Sequence, residues 1–158
     1  MPSKSTKSAS KAVPKPKAKK LKFHARPVVE ITATFKDTVG LTAKVAKAIA
    51  SENVNILAGT GYSASAIYRK ATFSLIVDDF AKAEKALDKI GAADVEELSV
   101  VLVEMDNQVG ALEKVCKGVA GAGINIFYFY ATTSSGDTAT VVLKTADDKK
   151  AIKIINAL

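Results

Sequence analysis

Hydrophobic and polar positions alternate from Val28 to Phe35, with Val29, Ile31, Ala33 and Phe35 on one side and Glu30, Thr32 and Thr34 on the other. A period of two predicts a half-buried strand. From Leu41 the period lengthens: Leu41, Val45, Ala48 and Ile49 recur at helical spacing and predict an amphipathic helix of about three turns. Val54–Ala58 reads as a second strand, and Gly59, Gly61 and Ser63 as a loop. Tyr68–Val77 reads as a third strand with Phe73, Leu75 and Val77 inward. Asp78-Asp79 opens a second helix whose Ala83, Ala86, Leu87 and Ile90 share a face, and Gly91 closes it. Aspartate at a helix start satisfies free N–H groups and complements the dipole.

The same order then returns. Leu98–Met105 is a strand and Asp106–Gly110 a loop; Leu112, Val115, Cys116 and Val119 form a helical stripe. Ile124–Thr132 is a strand, Ser134-Ser135-Gly136-Asp137 a turn, and Thr138–Lys144 a strand. A last helix starts near Asp147-Asp148 and shows Ile152, Ile155 and Leu158. Tyr128 and Tyr130 point to one face of their strand and Phe127 and Phe129 to the other, which predicts some burial of the outer sheet face.

The recurrence is also literal. Asp37-Thr38-Val39-Gly40-Leu41 and Asn53-Val54-Asn55-Ile56 return 70 residues later as Asn107-Gln108-Val109-Gly110-Ala111 and Gly123-Ile124-Asn125-Ile126. A repeat of this length is one compact unit built twice. Each unit reads β-α-β-β-α, and a ferredoxin-like unit would add a final strand. Only 14 residues lie between Gly91 and Asp106. At ~3.3 Å per residue that is too short for two strands and a turn. Either one strand serves both units or the first unit has a stub. The expectation is an α+β protein of two ferredoxin-like βαββαβ units with the last strand short or missing. An open sheet edge invites pairing, edge to edge within the chain or with a second chain.

Charge changes the picture at one end. Residues 1–26 carry nine basic groups, including His24's neighbour Arg26, and no acid; the rest has 14 basic against 16 acidic residues, a net of −2. Lys, Pro and Ser dominate that stretch, so it is expected to be a disordered tail, followed by domains at 27–95 and 96–158. The near-neutral remainder has no charge-based reason to bind nucleic acid. No apolar run approaches the ~20 residues of a membrane helix, and the N-terminus lacks a secretory apolar core. The expected location is cytoplasmic. Cys116 is the single cysteine and lies on an apolar stripe, so no internal disulfide forms. His24 is the single histidine and falls in the expected tail, so neither a Cys/His metal site nor a nucleophile–base pair can be assembled. No enzyme activity and no cofactor are expected.

Asp37-Thr38-Val39-Gly40 with Asn53-Val54-Asn55-Ile56, and Asn107-Gln108-Val109-Gly110 with Gly123-Ile124-Asn125-Ile126, resemble the ACT domain, a small regulatory module that binds amino acids. The resemblance covers residues 28–158 and is similar in layout to stand-alone tandem ACT proteins. Two departures stand out: Val39 and Val109 replace the loop's common proline, and Asn107 replaces its acid. The resemblance implies ligand sites at Asp37, Thr38, Val39, Gly40 and Leu41 and at Asn107, Gln108, Val109, Gly110 and Ala111. Asn55-Ile56 and Asn125-Ile126 would complete them, between paired units. A glycine lets the chain bend and a ligand approach, and the following helix N–H groups can hold a carboxylate.

Three functions compete. The first is a non-enzymatic sensor that binds an amino acid and self-associates through sheet edges. The second is contact with nucleic acid or acidic partners, non-specifically, through the basic tail; an RNA-binding sheet would need aromatics on its third strands, where residues 70–75 offer one, Phe73, and Thr138–Lys144 none. The third is a detached regulatory subunit of an amino-acid enzyme.

Overall fold

The computed structural model describes residues 21–65, 69–133 and 136–158. The expected tail up to residue 20, Tyr68 and the turn serines 134–135 lie outside the described residues. The elements are β1 (Phe23–Lys36), α1 (Leu41–Ser51), β2 (Ile56–Ser65), β3 (Lys70–Val77) and α2 (Phe80–Lys89). Then come β4 (Asp94–Asp106), α3 (Ala111–Gly121), β5 (Ile126–Thr133), β6 (Thr138–Thr145) and α4 (Asp148–Asn156).

All six strands join one antiparallel sheet in the order β2-β3-β1-β4-β6-β5. The centre is β1 against β4, in register from Phe23↔Met105 to Thr34↔Asp94. So the short span after Gly91 is one long strand, which closes the first β-α-β-β-α run and opens the second. Among the described residues no strand follows α4, and β1 occupies the sheet position beside β4 that such a strand would take. The two runs therefore join through the middle of the sheet rather than edge to edge. Residues 23–26, expected to belong to the tail, are strand, and His24 sits on β1 opposite Glu104. β2 is also longer than its apolar run: Gly59 and Gly61 are inside it, not in a loop.

The registers superimpose the two halves. Thr32↔Ser74 corresponds to Leu102↔Val142, and Thr60↔Ser74 to Tyr130↔Val142. On the helix-covered face, Ile31, Ala33 and Phe35 of β1 pack with Phe73, Leu75, Val45, Ile49 and Leu87. Val101, Val103, Val141, Leu143, Val115, Val119 and Ile155 make the matching core of the other half. Phe35 and Phe73 meet edge to face at 5.9 Å between ring centres. Asp79 and Asp147 cap α2 and α4 by accepting from the backbone N–H of Lys82 and Lys150, as aspartate at that position should.

The other face is buried too. Ile76, Val100, Leu102 and Val142 form a core there, with Val28, Ala58, Leu98 and Tyr130 against it. No helix covers this face. The sheet covers itself, because Tyr128 and Tyr130 of β5 reach Glu30 of β1. With β4 and β6 between them, a flat sheet would hold those strands about 14 Å apart. The sheet is curled so far that β2 touches β5, although the two remain the unpaired ends of the strand order.

Candidate functional site

Each run turns from its first strand into its first helix through a glycine. Gly40 caps α1 at φ 83° and Gly110 caps α3 at φ 87°, left-handed angles that side chains rarely adopt. Neither cap has a side-chain hydrogen bond. The bend itself is held by Leu41 N–H to the Thr38 carbonyl (3.1 Å) and Lys44 N–H to the Gly40 carbonyl (3.0 Å). The second corner repeats both, from Ala111 to Gln108 (3.1 Å) and from Lys114 to Gly110 (3.0 Å). Among the described residues, the N–H groups of Thr42 and Ala43 have no protein acceptor. Such N–H groups at a helix start favour an anion.

The first corner faces a cavity of about 210 Å³, lined by Asp37, Thr38, Gly40, Leu41 and Thr42. Its other wall is Gly61–Ser63 of β2, with Ala71 and Phe73 of β3. The Phe73 ring lies against the backbone of Gly61, where an added Cβ would come within 2.9 Å of it. A glycine is needed there to keep the ring in place. Among the described residues the Asp37 carboxylate has no hydrogen-bond or ion-pair partner, and the first turn of α1 carries no acid. The corner thus offers free N–H donors and a carboxylate side by side.

The second corner differs in its side chains. Asn107 is held by its own turn: its backbone N–H donates to the Asp137 carbonyl (2.7 Å) and its Nδ2 to the Gly136 carbonyl (3.2 Å). Glu113 adds an acid to the first turn of α3, which opposes an anion at that end. Val39 and Val109 are fully exposed at the tips of the two corners.

Asn55 and Asn125 are not at these corners. Ile56 lies opposite Val77 while Ser63 lies opposite Ala71, so Asn55-Ile56 and the first corner are separated by the length of β2, on the order of 20 Å. Asn55 is tied to Asp78, donating its N–H to Oδ1 (2.9 Å) and accepting the Asp78 N–H (3.2 Å). Asn125 stands likewise at the far end of β5, accepting from Ala146 N–H (2.9 Å). Within one chain, then, the corners and the asparagines do not meet. Gly61, Tyr62, Ser63, Ala71 and Phe73 line the first corner and were not anticipated; the two glycines in an otherwise strand-forming stretch were the available signal.

Two further features bear on chemistry. Cys116 is partly buried, and burial, with Glu113 nearby, pushes its thiol above its ordinary range, which disfavours the thiolate. A larger hollow, about 680 Å³, lies where Leu21–His24 of the described chain meet Met105, Asp106 and the end of α4. It mixes Lys22 and His24 with Glu104 and Asp106.

No protein-family model matches the chain, and no curated protein matches it. Solved structures do. Protein BT0572 from Bacteroides thetaiotaomicron superimposes with a TM-score of 0.74 at 27% identity, covering 84% of this chain and 89% of that one. The ligand-free regulatory subunit of aspartate kinase from Thermus thermophilus gives 0.61 at 16% identity, over 87% and 95%. The same subunit from Thermus flavus gives 0.56 at 19% identity, over 87% and 95%. The fold is ferredoxin-like α+β of the ACT kind. Among the described residues no helix is long and apolar enough to cross a membrane.

Proposed function

We propose that this protein is a non-enzymatic regulatory module, two ACT-type units in tandem, that binds an amino acid. The observation that carries the reading is the first corner. Free N–H groups at the start of α1 donate to the ligand carboxylate, and the Asp37 carboxylate accepts from its α-ammonium. A cavity of about 210 Å³ suits an occupant of amino-acid size, since drug-sized pockets begin at ~300 Å³. The likeness of fold to regulatory subunits of aspartate kinase supports the same reading.

Asn107, Gln108, Val109, Gly110 and Ala111 form a second, weaker site, because Glu113 and the committed Asn107 leave less for a zwitterion to bind. Asn55-Ile56 and Asn125-Ile126 complete these sites from a second copy of the chain. The exposed Val39 and Val109 are the apolar contacts that copy would cover. Isothermal titration of the full chain against the twenty amino acids tests the reading. Saturable heat from one or a few of them, lost in Asp37→Asn, is the expected result; no heat and no thermal shift with any of the twenty overturns it.

A further inference from the structure

The inner face of the curled sheet holds a polar group that the fold itself does not require. Glu30 is completely buried. Its Oε1 accepts from the hydroxyls of Tyr128 and Thr32, and its Oε2 from that of Tyr130 at 2.7 Å. Thr32 and Ser74 share a hydrogen bond at 3.1 Å beside it. Among the described residues no Lys, Arg or His pairs with Glu30. Burying a carboxylate costs several kcal/mol even after relaxation, and hydroxyl donors offset only part of that without a cation.

The duplicated architecture supplies a control. The strand registers place Val100, Leu102 and Val142 where Glu30, Thr32 and Ser74 stand in the other half. All three are buried and apolar. The same three positions are therefore filled once with hydrocarbon and once with a carboxylate and two hydroxyl side chains. Exchanging a buried polar group for well-packed hydrocarbon is often neutral or stabilising, so packing alone gives no reason to keep Glu30.

Next to this cluster, between the two sheet ends, lies a cavity of about 220 Å³. It is lined by Thr60, Tyr62, Ser74, Tyr128, Phe129 and Tyr130. Three of the six are tyrosines, none of the six is charged, and Ser74, Tyr128 and Tyr130 are bonded to Glu30 or to its neighbour Thr32, while Phe129 lies on the other face of β5 from the two tyrosines. Aromatic rings attract cations through their negative faces, more strongly when water is excluded. A Tyr hydroxyl that donates to Glu30 keeps lone pairs for a donor on its other side. The volume is below the ~300 Å³ of drug-sized pockets, which restricts an occupant to a few heavy atoms.

We infer that the cavity between β2 and β5 is a second binding site, specific for a small organic ammonium ion, with Glu30 as its buried counter-charge. This cavity has Tyr62 alone in common with the first corner, and the proposal does not depend on what the corners bind. An occupant would also bridge the unpaired sheet ends and hold the curl closed.

The test is calorimetric titration of the full chain with methylammonium, tetramethylammonium and choline chloride at constant ionic strength. Neopentyl alcohol serves as an uncharged probe of similar shape. At least one cation is expected to bind saturably and neopentyl alcohol not at all. Glu30→Gln, checked for folding by near-UV circular dichroism, is expected to weaken cation binding at least tenfold. If that variant does not fold, Tyr62→Leu decides, with the same expected loss. No saturable binding by any of the three cations overturns the proposal. So does equal binding of neopentyl alcohol, or wild-type cation affinity in a folded Glu30→Gln or, failing that, in Tyr62→Leu.

Discussion

Gly40 and Gly110 cap their helices at nearly the same backbone angles, φ 83° and 87°, and the two corners differ in the side chains around that shared bend. One has an unpartnered Asp37 and no acid in the helix's first turn; the other has Asn107 bonded to Gly136 and an acid, Glu113, in that turn. The inner face repeats the contrast, with Glu30, Thr32 and Ser74 in one half and Val100, Leu102 and Val142 in the other. What both halves keep marks what the fold needs. What only one half has is free to serve binding, and in both contrasts the first half has the reactive set.

The largest effects should not distinguish the halves at all. Leu87 on α2 and Ile155 on α4 are fully buried in matching cores. Leu87→Ala and Ile155→Ala should each cost about 2–5 kcal/mol. Because β1 and β4 are shared by both halves, either variant should lose the whole structure in one step. Urea unfolding followed by far-UV circular dichroism and by tyrosine fluorescence should give coincident transitions. Two separated transitions would show the halves to be independent domains.

A smaller effect should appear at the cluster that ties β1 to β5. Tyr130→Phe removes a donor from a buried carboxylate and should cost about 1–3 kcal/mol. Replacing Glu30 by Val, the residue at the equivalent position 100, together with Tyr128→Phe and Tyr130→Phe removes the carboxylate and both phenol donors at once and should cost less than Tyr130→Phe alone. The cluster also has a pH signature. Burial, and next the hydrogen bond to Glu30, raises both Tyr128 and Tyr130 above the ordinary value of 10.0. Above about pH 10 the unfolded chain releases phenolic protons that the folded chain retains, so stability present below that pH falls as it rises further. Urea midpoints measured from about pH 8 upward should fall more steeply for wild type than for the Tyr128→Phe, Tyr130→Phe pair. Equal slopes would mean that the cluster is not intact in solution.

Much of this comparison was legible in the residues. The 70-residue recurrence was plain, and the short interval between Gly91 and Asp106 left two options, a shared strand or a stub, of which the long β4 is the first. The start of β1 was masked by charge: Phe23-His24-Ala25-Arg26 alternates apolar and polar residues, but it continues a Lys-rich stretch without acid and runs into Pro27; the end of β4 gives it partners from Val101 to Met105. Gly59 and Gly61 read as loop punctuation, yet they lie in β2 because Leu75 and Phe73 cover their backbone; an added Cβ would come within 2.5 and 2.9 Å of those side chains. Glu30 read as an outward-facing polar position of an alternating strand. Its burial is a consequence of sheet curl, which no local pattern encodes. The inward tyrosines of β5 were the one trace of it. The asparagines fall at the far ends of β2 and β5 because sequence proximity to a helix says nothing about which end of the sheet that helix returns to.

The corner glycines should cost less again, and equally. A Cβ added at Gly40 or Gly110 meets nothing within 4 Å, so only the left-handed backbone opposes it. Gly40→Ala and Gly110→Ala should each cost about 1–2 kcal/mol. Thermal unfolding of the two variants should agree within error; a much larger loss at one would mean that its corner is packed against something the other lacks.

The smallest change in stability belongs to the exchange of corner chemistry. Asp37→Asn with Asn107→Asp moves the carboxylate from the first corner to the second at exposed or half-buried positions, and should change stability by no more than about 0.5 kcal/mol. Its effect on binding should be far larger. The first corner loses the acceptor for an α-ammonium, while the second gains one beside Glu113, whose charge still disfavours the ligand carboxylate. The exchanged protein should therefore bind an amino acid at least about tenfold more weakly than wild type, equivalent to about 1.4 kcal/mol. Adding Glu113→Gln should recover part of the loss by relieving the second helix start. If the exchange instead moves full affinity to the second corner, Asp37 alone distinguishes the halves and the charge at the helix start contributes nothing. If affinity is unchanged, the ligand contacts neither position, and the difference between the two corners reflects only how each turn satisfies its own backbone.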